Sequence, residues 1–273
     1  MREAKIRNRS KPSNLVQTIE RVSLILDILG KSPQGLRVGE LSEKAGLPKG
    51  TTHRLLTSLA YFDHVRQDSM TKNYHLGFKL VELGNRLLNQ IDLRTEAHPY
   101  LIELAERTKE TVHMVILDRS EALYVDKVDA GQHAGGLRMA SMLGSRIPTH
   151  CSAVGKVMLA YLPEEKLSEI VCDKGLPRRT ENTITDIEEL KTHLLHIREQ
   201  GYALDDEENE KGVKCIGAPI RDQSGKVIAA ISISVPGIRI RTDTLLTTLK
   251  DHVTETAMKI SQKLGYNRSR NLL

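Results

Sequence analysis

The spacing of apolar residues over the first 60 positions predicts three short helices. Ser13 or Asn14 would cap the first helix, and Gly30 and Pro33 would end it. This helix would pack across the two that follow and complete a three-helix core. Its apolar positions, spaced three and four residues apart, are Leu15, Ile19, Val22, Leu26 and Leu29.

Residues 36–60 predict two further helices joined by a tight turn. The first runs from Val38 to Ala45, and Gly46 supplies the turn because glycine accepts a positive φ without a Cβ clash. Pro48 fits the first turn of the second helix, where a missing N–H costs nothing. The apolar spacing of this second helix buries Thr52, Leu55, Leu56 and Leu59.

The outward face of the second helix is basic, hydroxylic and small at its start. Such a face suits the major groove of DNA, which indicates a helix-turn-helix; an ordinary helical hairpin with a solvated face is the alternative. Thr52 joins the candidates although its spacing also fits the core. The candidate DNA contacts are Lys49, Gly50, Thr51, Thr52, His53, Arg54 and Ser58.

After Ala60 the pattern changes to two short strands. Residues 65–67 and 73–76 flank a polar turn over 68–72, which predicts a hairpin and, with the preceding helices, a winged helix. Arg66 and Lys72 would reach phosphate or the minor groove if the hairpin touches DNA. The alternative is a hairpin that only covers the core.

Residues 77–90 predict a helix that is apolar on more than one side. A helix of this kind is covered twice, and a DNA reader of repeated half-sites needs a two-fold protein. The helix is therefore interpreted either as a dimerising linker over residues 77–92 or as a core helix. Its apolar residues are Leu80, Val81, Leu83, Leu87 and Leu88.

From residue 93 the pattern becomes mixed. Hairpins dominate, which predicts an α+β fold with a mostly antiparallel sheet and helices on its faces. The predicted strands are residues 112–118, 122–128, 137–142, 214–221 and 227–235. The predicted helices are residues 94–109, 152–162, 164–172, 187–200 and 242–264.

The charge of the chain is unevenly distributed. The net charge is +5, but residues 1–90 carry 15 Lys and Arg against 8 Asp and Glu, whereas the remainder carries 25 against 27. Part of the excess lies in residues 1–13, a polar basic stretch interpreted as a disordered arm. The asymmetry indicates that the first part meets a polyanion and the second does not.

Composition narrows the class further. Aromatic residues make up 3% of the chain and Trp is absent, which argues against a single-strand binder that stacks bases. Three cysteines are too few for a disulfide framework, and no apolar run reaches the ~18 residues of a membrane span. The basic N-terminus is not followed by the apolar segment of a secretory signal, so we expect a cytoplasmic protein.

Small polar residues mark a candidate ligand pocket in the second part. Alternation places Ser232 and Ser234 on one face of a strand, and Cys215 and Gly217 on one face of its partner. Small side chains on adjoining strands leave room for a small polar ligand; close packing of a helix is the alternative.

Two neighbouring stretches add candidate chemistry. Residues 205–211 carry five carboxylates, which form either a solvated loop or, through Asp205, a partner for a ligand hydroxyl. Residues 150–156 form a small-residue turn entering a helix, and helix N-termini bind anions well, so this stretch is an anion cradle or an ordinary capped helix. Its candidate residues are His150, Ala153 and Gly155.

An enzyme would need more than these residues offer. His150, Cys151 and Cys215 invite a Cys–His hydrolase or a metal site, but no CxxC or HxxxH spacing is present. We therefore expect no enzyme activity, no metal and no cofactor.

Three motifs together resemble the IclR family of bacterial transcription regulators. LPKGTTHRLLTSL is similar to the family's recognition helix, YHLGFKLVELG to its wing-to-linker junction, and GYALDDEENEKGVKCIGAPIRD to its C-terminal signature. Arg221 departs from that signature. The resemblance covers about residues 14–265, and LGSRIPTHCSAVGK is most similar to regulators of 2-keto-3-deoxygluconate and sugar-acid catabolism.

The resemblance implies a winged helix over residues 14–76, a linker helix over 77–92 and a GAF-like, six-stranded effector domain over 93–273. It also implies a homodimer or homotetramer on operator DNA, with a small organic acid as effector. The predicted function is a ligand-responsive transcriptional regulator, with a repressor favoured over an activator. The alternatives are a DNA-binding protein whose C-terminal domain only oligomerises and a Cys-dependent small-molecule enzyme. The implied ligand residues are Ala153, Gly155, Asp205, Cys215, Ser232 and Ser234.

Overall fold

The computed structural model describes residues 14–89, 92–129 and 141–267. The chain divides into two compact units, residues 1–90 and 91–273. The predicted basic arm and most of the strand predicted over residues 137–142 lie outside the described residues, as do the last residues of the predicted linker.

The first unit consists of three helices, a two-stranded hairpin and a fourth helix. The helices are α1 (Gln17–Gly30), α2 (Val38–Ala45), α3 (Lys49–Tyr61) and α4 (Lys79–Asn89), and the strands are β1 (Val65–Gln67) and β2 (Tyr74–Leu76). The two strands pair antiparallel. The helices and hairpin of the predicted winged helix are therefore present in the predicted order.

The core of this unit forms from the second half of α1 and the inner faces of α2 and α3. Ile25, Leu41 and Leu56 are fully buried in it. The prediction was wrong for the first apolar positions: Leu15 precedes α1 and is 40% exposed, and Ile19 in the first turn of α1 is 59% exposed. The apolar spacing found a helical face, but the core lies only against its later turns.

The cap predicted for α1 is also wrong. The helix begins after Val16, an extended residue with no side-chain cap. The turn after α2 is as predicted: Gly46 adopts φ +62°, and its N–H donates to the Glu43 carbonyl. Pro48 precedes α3 instead of lying within it, which keeps its ring clear of the helical hydrogen bonds.

The second unit contains a six-stranded sheet with helices on both faces. The strands are β3 (Thr111–Asp118), β4 (Glu121–Val128), β5 (Arg146–Ile147), β6 (Ala203–Asp206), β7 (Val213–Arg221) and β8 (Val227–Pro236). The helices are α5 (Asp92–Thr108), α6 (Ala153–Ala160), α7 (Glu164–Lys174), α8 (Ile187–Gln200), α9 (Thr242–Thr248) and α10 (Lys250–Lys263).

The sheet is antiparallel throughout, in the order β5-β4-β3-β8-β7-β6. One face packs residues such as Met114 and Ile231 against α5 and α10, and the other packs Val115 and Ala230 against α6 and α8. Both faces of the central strands are therefore covered, which explains their nearly continuous apolar runs.

Three predictions of secondary structure need correction. Residues 203–206 form the edge strand β6, which the sequence analysis did not predict and which takes in the first two residues of the acidic stretch 205–211. The final helix is broken at Leu249 into α9 and α10. Residues 141 and 142, the described end of the predicted third strand, are not in a strand; the strand in this part of the chain is β5.

Within the described ranges, no helix has both the length and the apolar character that crossing a membrane requires.

Candidate DNA-binding and ligand-binding sites

The exposed face of α3 is the candidate DNA-binding surface of the first unit. Lys49, Gly50, His53 and Arg54 are exposed along its first two turns, and Thr51 is half-buried beside them. The helix carries no acidic side chain in its first turn. The positive end of the helix dipole and two cations therefore lie at the same end of α3.

Thr52 does not belong to this face. It is fully buried, and its hydroxyl donates to the Pro48 carbonyl at 3.3 Å. The spacing of Thr52 with Leu56 and Leu59 places it on the core side of α3, so its inclusion among the DNA contacts is wrong.

Two hydroxyl side chains extend the exposed face toward the end of α3. Ser58 is exposed, and its hydroxyl donates to the Arg54 carbonyl at 3.0 Å. Thr57, which the sequence interpretation omitted, is also exposed and donates to the His53 carbonyl. Because each hydroxyl donates its proton to a carbonyl of the helix, only its lone pairs are available on the exposed face.

The hairpin presents both of its candidate cations to solvent. Arg66 is exposed on β1, with its guanidinium 5.6 Å from the centroid of the Phe78 ring. Lys72 is exposed at the tip of the hairpin with φ +63°. Asp68 holds this tip by accepting the backbone N–H groups of Met70 and Thr71 at 2.9 and 2.7 Å.

The second unit contains a small cavity above the sheet face that carries the predicted serines. Register places Cys215 opposite Ser234, and Gly217 opposite Ser232. On the other side of β8, Ser232 is opposite His113 of β3. Three neighbouring strands thus present polar or small residues side by side.

The N-terminus of α6 lies directly against this face. Ser152 caps the helix by accepting the Gly155 N–H at 3.2 Å. A Cβ on Gly217 would lie 3.3 Å from the carbonyl carbon of Ala153 and from the Val154 nitrogen. The nearest contact would be the Ile231 carbonyl oxygen at 3.1 Å, so any side chain at position 217 would force the sheet or the helix end to shift.

The resulting cavity has a volume of about 60 Å³. Water-sized groups need roughly 10–15 Å³ each on this scale, so the cavity holds about four to six of them. No lysine or arginine is among its lining residues in the described part of the chain. These residues are His113, Tyr124, Ser141, Ile147, Ser152, Ala153, Val154, Asp205, Asn209, Glu210, Val213, Cys215, Ser232 and Ser234.

Asp205 is the buried acid of the cavity. It is 3% exposed, and its Oδ1 accepts the backbone N–H groups of Glu208 and Asn209 at 2.8 and 3.2 Å. Burial raises the pKa of Asp205 to about 7, although the nearby Lys156 and these hydrogen bonds lower it. Near neutral pH this carboxyl group can therefore hold a proton and donate it to a ligand oxygen.

A hydrogen-bonded chain crosses the floor of the cavity. The Cys215 thiol donates to Ser234 Oγ at 3.2 Å, and Ser234 Oγ lies 3.2 Å from His113 Nδ1. The other ring nitrogen, His113 Nε2, lies 2.7 Å from Ser141 Oγ. Burial lowers the pKa of His113 to about 3, so its ring is neutral at physiological pH.

A buried ion pair lies behind the cavity. Lys156 of α6 is fully buried, and its ammonium donates to Glu208 Oε1 and lies 3.3 Å from His193 Nε2. Burial raises the pKa of Glu208, and Lys156 opposes that shift. Burial lowers the pKa of His193 to about 4. This pair ties α6 to the turn after Asp205.

Two predicted ligand residues are not placed on the cavity. His150 points elsewhere, with Nε2 3.1 Å from the Pro177 carbonyl. The N–H of Gly155 is already bound to the capping Ser152, and a Cβ there would lie 2.5 Å from Thr149 backbone atoms. Gly155 therefore allows the turn to form and is not among the residues that line the cavity, whereas Ala153 does line it.

Several residues that the sequence analysis did not identify also line the cavity. His113 interrupts an otherwise apolar run from Val112 to Leu117 in β3, which was a usable signal. Tyr124 and Ser141 gave no such signal, because strand pairing and a turn bring them to the cavity from distant positions.

The two cysteines near the cavity, Cys151 and Cys215, lack the properties of nucleophiles. Burial raises the pKa of Cys151 to about 12 and raises that of Cys215. Both thiols are therefore protonated near pH 7, and a thiolate is the reactive form. The described residues also contain no group of three or more His, Cys, Asp or Glu side chains arranged to hold a metal ion.

Two family models match the chain in succession. A model of the IclR helix-turn-helix domain matches residues 18–69. A model of the C-terminal part of the bacterial transcriptional regulator IclR matches residues 85–262.

Individual proteins match over nearly the whole chain. The HTH-type transcriptional regulator KdgR of Escherichia coli is 37% identical over 260 residues, which cover 94% of this chain and 96% of KdgR. The transcriptional repressor IclR of Escherichia coli is 36% identical over 252 residues, which cover 92% and 90%. The crystal structure of the Thermotoga maritima IclR is 36% identical with a TM-score of 0.78, covering 92% and 99%. These matches confirm the predicted α+β fold with its N-terminal helix-turn-helix.

Proposed function

The chain belongs to the IclR family of bacterial transcriptional regulators, and from that membership we propose that it is a repressor released from operator DNA by a two- or three-carbon 2-keto acid. The observation that carries the proposal is the cavity at the N-terminus of α6. It combines backbone N–H groups, buried hydroxyls and the carboxyl group of Asp205 within about 60 Å³.

The chemistry of the cavity favours a small acid. The helix N-terminus of Ala153 and Val154 offers N–H groups and a positive dipole end to a carboxylate. Ser232 and Ser234 offer hydroxyls to a neighbouring carbonyl oxygen, and a protonated Asp205 can donate one more hydrogen bond.

The volume of the cavity favours a short acid. Glyoxylate and pyruvate have five and six non-hydrogen atoms, which match about four to six water-sized groups. The longer 2-keto-3-deoxygluconate has about twice as many atoms. We therefore propose a short 2-keto acid in place of the sugar acid that the resemblance suggested.

For the first unit, we propose that α3 enters the major groove with Lys49, Gly50, Thr51, His53, Arg54 and Ser58. Arg66 and Lys72 of the hairpin would contact the phosphate backbone. Supporting this, all these side chains except the half-buried Thr51 are exposed.

We also propose that the regulator acts as a homodimer or as a homotetramer made from two dimers. Supporting this, the helices at the two ends of the first unit carry exposed apolar residues: Ile19 of α1 is 59% exposed, and Val81 and Leu83 of α4 are 57% and 43% exposed. Light scattering of the full chain at several concentrations tests the proposal, and a monomer at micromolar concentration would contradict it.

The effector proposal is tested by thermal stability in the presence of acids. At 100 times its dissociation constant, a ligand of the folded state adds about 2.7 kcal/mol of stability. We expect glyoxylate or pyruvate to raise the melting temperature and 2-keto-3-deoxygluconate to leave it unchanged. Ser232→Ala should remove the effect, while Ser224→Ala, on an exposed turn, should keep it.

The repressor proposal requires a second measurement. Duplex fragments selected from the source genome by the purified protein are tested for binding with and without the stabilising acid. We expect affinity to fall steeply as salt rises, and to fall again when the acid is added. If the acid stabilises the protein but leaves DNA affinity unchanged, it is not the inducer. If no acid stabilises it, the short 2-keto acid is not the effector, which leaves a ligand outside the panel or a C-terminal unit that only oligomerises.

A further inference from the structure

The hydrogen-bonded chain on the cavity floor contains a histidine whose proton can sit on either ring nitrogen. We propose, resting on the effector site above, that an acceptor oxygen of the bound acid selects the His113 tautomer protonated on Nδ1. His113 and Ser141 would then change their donor and acceptor roles when the effector binds.

The proton count of Ser234 leads to this inference. Its hydroxyl has one proton and two lone pairs, and the Cys215 thiol already donates to one lone pair at 3.2 Å. If His113 Nδ1 is unprotonated, Ser234 must give its only proton to the ring, 3.2 Å away. In that state Ser234 has no donor left for a ligand.

The second tautomer frees that donor. If Nδ1 carries the proton, the ring donates to Ser234, and the serine proton turns toward the cavity. Nε2 then accepts the proton of Ser141, whose Oγ is 2.7 Å away. The ring stays neutral in both states, because burial lowers the pKa of His113 to about 3.

The two His113 tautomers differ in which serine has a hydroxyl proton that is not used within the hydrogen-bonded chain of the cavity floor. With the proton on Nε2, the unused O–H belongs to Ser141, which is half-buried. With the proton on Nδ1, it belongs to Ser234, which is 5% exposed at the bottom of the cavity. Without a ligand, the first state leaves the unused donor closer to bulk water, so we expect Nε2–H in the free protein.

An acid reverses this preference. A carboxylate or keto oxygen accepts hydrogen bonds and cannot donate one, and bonds to charged acceptors are the stronger ones. Such an oxygen above Ser234 would face only a lone pair in the first state and a donor in the second. Binding therefore selects Nδ1–H and turns the Ser141 hydroxyl inward.

Nitrogen NMR of the full chain labelled with ¹⁵N-histidine tests this directly, because protonated and unprotonated ring nitrogens resonate in separate regions. His113→Gln assigns the His113 signals by their loss. His150 is an internal control, since its Nε2 faces the Pro177 carbonyl at 3.1 Å, and a carbonyl can only accept. Its Nε2–H should remain with and without ligand.

Glyoxylate is the probe, and its binding is followed on the same samples by the melting temperature. We expect stabilisation together with a change of His113 from Nε2–H to Nδ1–H, while His150 stays unchanged. Ser234→Ala should abolish the tautomer change, because the link between ligand and ring is removed.

Three results would overturn the inference. Glyoxylate that stabilises the protein without altering the His113 signals refutes the tautomer switch and leaves the proposed effector site intact. Free protein that already carries the proton on Nδ1 also refutes it. Failure of glyoxylate and pyruvate to stabilise the protein refutes the proposed effector class, and the switch with it.

Discussion

Replacing Lys156 by methionine removes a fully buried cation and leaves its acidic partner without a counter-charge. The ammonium of Lys156 contacts Glu208, which is 7% exposed and whose other oxygen, Oε2, has no hydrogen-bond partner. Methionine keeps most of the apolar side-chain length, so the change tests the charge more than the packing.

The loss of folding free energy in Lys156→Met follows from the protonation of Glu208. A buried carboxylate without a partner takes up a proton, and at pH 7 that costs 1.36 kcal/mol for each unit above its ordinary pKa of 4.5. The cost at pH 7 is at most about 3 kcal/mol, which agrees with the roughly 3–5 kcal/mol expected when one partner of a buried ion pair is removed. At pH 5 it is below about 1 kcal/mol.

The destabilisation of Lys156→Met depends on pH through the protonation of Glu208. In the variant, the folded pKa of Glu208 is raised further above its unfolded value, so the folded state holds a proton that the unfolded state releases. The destabilisation is therefore small below the unfolded pKa and grows as pH rises.

Urea unfolding followed by circular dichroism at pH 5 and pH 7 measures the effect. Amide hydrogen exchange in α6 locates it within the chain. Lys166→Met is the matched control, because Lys166 is an exposed lysine paired with Glu169, and it should change stability by less than about 0.5 kcal/mol. The double variant Lys156→Met with Glu208→Gln should regain most of the loss. A double variant as unstable as Lys156→Met alone would refute the reasoning.

Three further predictions concern single residues. Arg54→Ala should weaken DNA binding by about 1–3 kcal/mol without lowering the melting temperature, whereas Lys166→Ala should not weaken it; unchanged affinity in Arg54→Ala removes Arg54 from the interface. Gly217→Ala should cost about 1–3 kcal/mol and abolish stabilisation by glyoxylate, because the new Cβ meets Ala153 and Val154 atoms at 3.3 Å; a retained thermal shift would contradict the assigned close approach. The raised pKa of Asp205 means that the native state keeps a proton there, so the contribution of Asp205 to stability falls by up to about 1.4 kcal/mol per pH unit between pH 4 and 7. Asp205→Asn should remove this contribution, and parallel profiles of stability against pH for the variant and the wild type would contradict the prediction.

The helix-turn-helix could be predicted in detail because its signals are local. Gly46 must adopt a positive φ, and the three- and four-residue spacing of Leu56 and Leu59 sets the buried face. The same spacing placed Thr52 inside, and the structure agrees with the periodicity against the functional interpretation. What the spacing left open is where the core ends, and so Leu15 and Ile19 were wrongly placed inside.

The ligand cavity was harder to predict because it depends on contacts distant in sequence. Alternation within a strand put Ser232 and Ser234 on one face, and Cys215 and Gly217 on another, but it could not show that β3 lies beside β8. His113 therefore escaped notice. For Asp205 the sequence left open a solvated loop and an inward-pointing ligand partner, and the structure decides for burial because β6 carries the beginning of the acidic run into the sheet.

The position of Lys156 determines how the cavity can balance the charge of an acid. The sequence placed this lysine beside the candidate anion cradle, yet it is bound to Glu208 and is not among the lining residues. Among the described residues, the groups on the cavity that can meet the negative charge of a bound acid are the N–H groups of α6, next to the carboxyl group of Asp205. Two adjacent anions repel, so binding requires Asp205 to be protonated, and its pKa of about 7 makes this possible at neutral pH.

We therefore expect glyoxylate affinity to fall as pH rises above 7, approaching tenfold per pH unit, because each binding event must then take up one proton. Isothermal titration in buffers of different ionisation enthalpy measures this uptake directly. Asp205→Asn keeps the side-chain oxygen that accepts the two backbone N–H groups but has no titrating proton, so its affinity should be independent of pH over the same range. Exposed Glu210 also lines the cavity, and Glu210→Gln controls for its charge. Equal pH dependence in wild type and Asp205→Asn would show that the acid is held without the help of this proton.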